Sequence, residues 1–404
     1  MGGANPKANM PLFPWLSRRT FSKTPARMPE TKASRTGPVV ALHLQGRPRW
    51  TPRDYAALAR EGLEKNPIVY RAVRRIAESA ASVPLLMYQG NAELESHPLL
   101  DLLARPNPME EGSDVRCAFF AHLQTAGNAY MEAVEVDGTP RELYALRPDR
   151  MKVVPGPQGW PEAYEYASGG ETVAFALPDT GPMTGPILHL KLFHPTDDHY
   201  GMSPLEAAAF AIDIHNAAGA WNKALLDNAA RPSGALVYAG AEGAEHLTDE
   251  QFTRLKEELE QNYQGSDNAG RPLLLEGGLD WKAMSLSPKD MDFIEAKNVA
   301  SREIALAFGI PPMLLGIPGD NTYANYAEAN RAFWRETVLP LVGRYCHAIT
   351  NWLAPRYGDN LRIWYDPDAL EALNADREAL WERIGAADFL GADEKRRAVG
   401  YGEK

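Results

Sequence analysis

The sequence predicts a multi-lobed α+β protein, and three observations carry that expectation. Its 404 residues exceed one ordinary hydrophobic core. The first half alternates helical stripes with short period-two runs bounded by turn signals. The second half reads helix, small α/β insert, helix, loop, helix.

In chain order, Thr51, Pro52 and Asp54 have the chemistry of a helix start, as do Asn66 and Pro67. From Pro67, the residues Val69, Ala72, Val73, Ile76, Ala77 and Ala80 form an apolar stripe, with Arg71, Arg74 and Arg75 opposite. Pro84 to Tyr88 has strand character, His97 to Leu103 helical character, and Asp114 to Ala126 is a further helix. Strands are expected at Ala129 to Val136 and Glu142 to Leu146 around the turn signal Asp137-Gly138, then at Lys152 to Val154, Ala163 to Tyr166, Thr172 to Ala176 and Ile187 to Leu192.

Ser203, Pro204 and Glu206 make a capping box with proline in the first turn. The helix they start should run to about Asn228, with Leu205, Ala208, Ala209, Ile212, Ala220, Trp221, Ala224 and Leu225 on one side. The insert that follows has strands at Gly234 to Tyr238, Pro272 to Leu275 and Leu279 to Leu286, and a charged helix capped by Thr248 and Gln251. Ser287 and Pro288 start the central helix, whose stripe of Phe293, Ile294, Ala300, Ile304, Ala307 and Phe308 should be buried. Gly309, Pro311 and Pro312 stop it. A loop with apolar anchors and a small polar tip leads to helical pattern from about Tyr326, carrying Phe333, Trp334, Val338 and Leu341. Leu361 to Tyr365 is a strand, and residues 369 to 398 are helical with a break near Gly391.

Composition narrows the function. Hydrophobic residues make up 45% and charged residues 24%, as in ordinary globular proteins, and there is no apolar run of about 18 residues for a membrane span. The start, Met1 to Asn9, lacks a secretory apolar region. Two cysteines, Cys117 and Cys346, make neither a disulfide framework nor a cysteine metal site. The net charge of −11 is uneven: residues 1 to 53 hold ten Lys and Arg against the single acid Glu30. A basic arm of disordered composition, suited to nucleic acid or an acidic partner, therefore precedes an acidic body.

Several short motifs then act together. They are Asn66-Pro67-Ile68-Val69-Tyr70, the helix to Val83-Pro84, His97-Pro98-Leu99-Leu100 with Arg105-Pro106-Asn107, Gly127-Asn128-Ala129-Tyr130, Gly201-Met202-Ser203-Pro204-Leu205, and Ile304-Ala305 with Phe308 to Gly316. In their order and spacing over about residues 55 to 370, they resemble the portal proteins of long-tailed double-stranded DNA bacteriophages, a type that also serves phage-derived gene transfer particles. The resemblance implies a homo-oligomeric ring, usually a dodecamer, at one capsid vertex, through which double-stranded DNA is packaged and ejected. It implies a docking platform for the terminase large subunit and the head–tail adaptor, and contact with the major capsid protein, in a virion or phage-like particle made in a bacterial cytoplasm.

By the same resemblance the chain divides into a basic arm at 1–53, a wing at 54–202, stem helices at 203–231 and 287–310, and a clip at 232–286. A tunnel loop follows at 311–326, then a helix and strand returning to the wing at 327–368 and a crown at 369–404. Gly319, Asp320, Asn321, Thr322, Tyr323 and Asn325 are the residues expected to meet DNA in the channel, with Lys297 and Arg302 on the stem as further candidates. An acidic body and a small polar loop tip suit a channel that must not hold phosphate tightly.

The rival reading is a metal-dependent hydrolase. His189, His194, Asp197, Asp198 and His199 put imidazoles and carboxylates in one short stretch, which is what a zinc or two-metal site requires. Against it, His189 sits in an apolar alternation, Pro195 interrupts the run, and no second ligand cluster occurs. Ser203 lacks the second glycine of a nucleophile elbow, and there is no P-loop lysine for ATP hydrolysis. The expectation is a DNA conduit and assembly hub without catalytic residues, cofactor, metal or membrane contact.

Overall fold

The computed structural model describes residues 50–51, 55–157, 159–178, 185–227, 234–238, 248–263, 279–283, 293–319 and 323–401. The basic arm up to residue 49, the strand expected at Pro272 to Leu275 and the cap expected at Ser287 lie outside them.

Two short segments open the described chain. The helix α1 (Tyr55–Leu58) passes into a π-helical turn, Ala59–Glu64. Thr51 N–H donates to Asp213 Oδ2 at 2.9 Å and its hydroxyl donates to Asp213 Oδ1, while the Trp50 ring meets Phe210 edge-on at 4.9 Å; Pro52 and Asp54 of the expected helix start lie outside the described residues. The helix α2 (Pro67–Ser82) is capped by Asn66, whose Oδ1 accepts from the N–H groups of Ile68 and Val69 at 3.0 and 3.2 Å. Its expected stripe is buried. The helices α3 (Pro98–Ala104) and α4 (Gly112–Ala126) follow, and α4 packs on α2.

The strands form small antiparallel sheets. One has β1 (Leu85–Gln89) between β2 (Ala92–Leu94) and β11 (Leu361–Tyr365), so the end of the chain returns to its beginning. In the second, β3 (Asn128–Val136) lies between β4 (Thr139–Leu146) and β8 (Ile187–Lys191). A third joins β5 (Met151–Pro155), β6 (Pro161–Ser168) and β7 (Glu171–Ala176) in sequence order.

The motifs Gly127-Asn128 and Gly201-Met202-Ser203-Pro204 meet at one junction. Gly127 caps α4 in the left-handed region at φ 71°, and a Cβ there would strike the backbone of Gly201 and Met202. Asn128 Oδ1 accepts from Gly201 N–H at 2.8 Å, and the Ser203 hydroxyl donates to the Gln124 carbonyl at 2.9 Å. Ser203 also completes the capping box of α5 (Pro204–Ala207).

The long helix expected from Pro204 is broken. α5 stops at Ala208, which has φ −87° and ψ 0°, and α6 (Ala209–Asp227) resumes. The insert contains β9 (Gly234–Tyr238), α7 (Asp249–Tyr263) and β10 (Leu279–Ala283), with β9 and β10 antiparallel. Thr248 and Gln251 make the expected reciprocal cap at 3.0 and 3.3 Å. Beyond it come α8 (Phe293–Ala307), α9 (Tyr323–Ala332), α10 (Leu339–Leu353), α11 (Asn374–Gly385) and α12 (Ala392–Ala398).

The main core joins α2, α4, β11 and the apolar faces of α8 and α10, with Phe119, Phe120 and Tyr345 in mutual ring contact.

Candidate functional site

Helices α6 and α8 pack against one another. The buried face of α6 carries Ala211, Ile212, His215 and Ala218; that of α8 carries Ala300, Ser301, Ile304 and Ala305. Small residues at these positions let the two backbones approach closely. His215 is the polar exception, and Asn66 explains it: the Asn66 amide lies 3.1 Å from His215 Nδ1 and donates to Asn216 Oδ1 at 3.0 Å. One asparagine thus caps α2 and ties it to α6. Burial first, and the nearby Lys297 ammonium second, hold His215 below the ordinary imidazole pKa.

The outer faces differ from expectation. Ala220, Trp221 and Ala224 are exposed, as are Phe210 and Ile214. On α8, Ile294 is 74% exposed, Val299 45% and Leu306 79%, whereas Ile304 is 0%. The stripe expected on α8 is buried at Ala300, Ile304 and Phe308 and exposed at Ile294, whereas that expected on α6 joins residues of two faces; each helix is apolar on more than the face that packs within the chain.

After α8 the chain makes a Schellman turn around Gly309 at φ 64°, with Gly309 N–H on the Leu306 carbonyl and Ile310 N–H on the Ala305 carbonyl, both at 2.9 Å. The Thr337 hydroxyl donates to the Gly309 carbonyl. A 3-10 turn, Pro312–Leu315, follows, and Ile310, Leu314 and Ile317 are buried as anchors. The Arg302 guanidinium donates to the Pro318 carbonyl and lies against Gly319.

Gly319 is exposed at the end of this limb, and Asp320, Asn321 and Thr322 lie outside the described residues. Tyr323 begins α9, earlier than the expected Tyr326, and Asn325 is exposed in its first turn. Between α9 and α10 runs a π-helical turn, Phe333–Val338. Leu339 N–H there reaches back five residues to the Trp334 carbonyl. The cause is Pro340: it has no N–H to donate and its ring would press on the carbonyl four residues earlier, so the widened turn relieves both. Of the two basic candidates, Lys297 is half-buried toward His215 and Arg302 is engaged with the loop. Sequence reasoning missed the bond from Arg302 to Pro318 because its partner is a backbone carbonyl sixteen positions away.

The His189 to His199 stretch does not assemble a metal site. His189 stacks on Tyr130 at 4.2 Å, and its Nε2 lies 3.0 Å from Asn128 Oδ1, an oxygen that can only accept. Asp197 Oδ1 instead accepts from the N–H groups of His199 and Tyr200 at 2.7 and 2.9 Å, and His194 Nδ1 accepts from Thr196 N–H at 3.1 Å. These side chains close a turn. Among the described residues, no group of three or more His, Cys, Asp or Glu could hold a metal ion.

Burial pushes His189 down to about 3, and burial likewise brings His122 down to about 4, from 6.5. The folded chain therefore refuses protons that the unfolded chain takes up below pH 6.5, so stability is full above that value and falls as pH drops toward these lowered values. By pH 5 the expected loss is about 2 kcal/mol for each histidine. Urea midpoints at pH 7.5 and 5.0 check this, with His122→Gln and His189→Gln each flattening the difference.

The phage portal protein family matches residues 67–400. The chain belongs to that family. Among its relatives is the portal protein of Enterobacteria phage HK97, 25% identical over 382 residues, covering 91% of this chain and 84% of the relative. Among solved structures, a chain in the neck of an empty GTA particle, computed with C6 symmetry, is 54% identical with a TM-score of 0.69, covering 89% of this chain and 96% of that one. Another, in the neck of a native GTA particle computed with C12 symmetry, is 53% identical with a TM-score of 0.66 over the same shares. In portal terms, the sequence motifs that identified the family are junction residues: Asn66, Gly127, Asn128, Gly201 and Ser203 lock one element to another. Among the described residues, no helix is long and apolar enough to cross a membrane.

Proposed function

We propose that this portal protein forms a twelve-membered ring at one vertex of a phage-like particle and that double-stranded DNA enters and leaves through its axis. The observation that carries the reading is the 53% identity, over 89% of the chain, to a subunit in a particle neck of C12 symmetry. In this reading α6 and α8 form the stem, the insert of β9, α7 and β10 is the clip, residues 311–326 are the tunnel loop, and α11 and α12 belong to the crown. The outer apolar pair of Val299 and Leu306 is covered by a neighbouring subunit, which supplies the burial that one chain does not.

The loop from Gly319 to Asn325 lines the narrowest part of the channel. Small polar side chains there slide along phosphate without the counterion release that makes basic surfaces bind DNA tightly. The clip faces outward, where the terminase large subunit docks during packaging and the head–tail adaptor afterwards, and the wing meets the major capsid protein. No residue here is assigned a catalytic role; the motor that hydrolyses ATP is a separate protein.

The test is native mass spectrometry with electron microscopy of the purified chain together with its capsid components. A ring near twelve times the 44.5 kDa subunit mass, with an axial hole, is the expected result. A monomer or dimer under those conditions overturns the ring.

A further inference from the structure

Arg302 stands out from the other cations of the stem because of what it touches. It lies on the exposed side of α8, between Val299 and Leu306, where an arginine would ordinarily extend into water. Its guanidinium instead folds along the helix to the Pro318 carbonyl, sixteen positions later, and rests on Gly319. Any side chain at Gly319 would occupy that space, since a Cβ there would fall on Nη2 of Arg302. Gly319 does not sit in the left-handed region, so its backbone does not demand glycine; the steric demand comes from the guanidinium.

We propose that Arg302 is a positioning residue that clasps the foot of the tunnel loop to the stem, rather than a contact for DNA. The inference rests on the portal reading above and adds a role which that reading does not contain. Three fastenings hold the limb from Gly309 to Gly319. The Thr337 hydroxyl joins its start to the π-helical turn, Ile310, Leu314 and Ile317 bury its underside, and Arg302 pins its end. Without the last, the chain beyond Ile317 leaves its final apolar anchor with no attachment to α8 among the described residues. With it, the residues after Gly319 start from a point fixed to the stem helix, so a shift of that helix carries the loop with it. Arginine suits the task, because its planar fork reaches a carbonyl at the end of a long stem while covering a flat glycine surface.

Two variants remove the contact from opposite sides. Arg302→Ala deletes the donor, and Gly319→Ala displaces the guanidinium by filling its seat. Arg302→Lys keeps a donor of similar reach. In purified rings, hydrogen exchange at the Ile317 amide, which donates to the Pro312 carbonyl at 3.2 Å, is expected to speed up at least tenfold in Arg302→Ala and Gly319→Ala, and less than threefold in Arg302→Lys. Ring mass should be the same in all four proteins. DNA packaged per particle should fall at least tenfold in the first two and recover in Arg302→Lys, which a loss of general stability would not reproduce.

Unchanged exchange in Arg302→Ala overturns the clasp. Faster exchange with normal packaging overturns its role in the conduit. Reduced packaging in Arg302→Ala with unaltered exchange assigns Arg302 to DNA and also overturns the proposal. If the wild-type chain forms no ring, the portal reading fails, while the exchange comparison on the subunit still decides whether the clasp exists.

Discussion

Replacing Leu306 by glutamate is expected to leave the subunit folded and abolish the ring. Leu306 is 79% exposed, so the isolated chain gains little from its burial, and a polar residue there should change subunit stability by no more than about 0.5 kcal/mol. Covered by a neighbouring subunit, as proposed, the same side chain contributes about 1.5 to 3 kcal/mol per interface, and a glutamate enclosed there adds the desolvation of an unpaired charge, several kcal/mol more. Every interface of a ring carries the change, so closure fails as a whole. Native mass spectrometry should show monomers where the wild type shows rings, with a thermal midpoint close to wild type. The opposite face supplies the contrast: Ile304→Glu, at a position 0% exposed, should unfold the chain, because the charge enters the subunit's own core. Rings formed by the Leu306→Glu protein would move the interface off the outer face of α8.

Deleting Gly319 to Thr322 is expected to give the converse phenotype, intact rings that package little DNA. The deleted residues follow the last buried anchor, Ile317, and precede α9, so neither the core nor the outer pair of α8 loses a side chain. Ring mass should fall only by the residues removed, while DNA retained per particle should drop by at least tenfold if this tip holds or guides the duplex. Packaging at the wild-type level would take the loop out of the mechanism. Together the two variants separate assembly from conduction: one touches only the outer face of α8, the other only the tip between Ile317 and α9.

Local structure was legible wherever one residue's chemistry settles it. Asn66, Ser203 and Thr248 were identified as caps from sequence, and each accepts the backbone N–H bonds expected of it. The β3–β4 hairpin was equally legible, since alternation and the Asp137-Gly138 turn specify it without reference to distant residues, whereas the three-residue β2 is too short to show a period and was not expected. The His189 to His199 stretch shows the opposite case. Its residue types suit a metal, but Asn128, about sixty positions earlier, and the ring of Tyr130 claim the imidazole, and Asp197 closes its own turn. Competition from distant partners is not encoded in spacing.

The same division runs through α6, α8 and the limb that follows α8. The sequence by itself determined the order of elements, the capping of the helices, the proline and glycine stop after α8 and, through short motifs, the family. These depend on interactions within a few residues, or on proline and glycine, whose backbone preferences are intrinsic. Only the tertiary structure decided which apolar residues of α6 the chain covers, that Val299 and Leu306 on α8 stay exposed, that Pro340 is accommodated by a π-helical turn, and that Arg302 turns to the Pro318 carbonyl. Helical periodicity states that a face is apolar without stating what covers it, and a backbone carbonyl has no letter in the sequence by which an arginine can be matched to it.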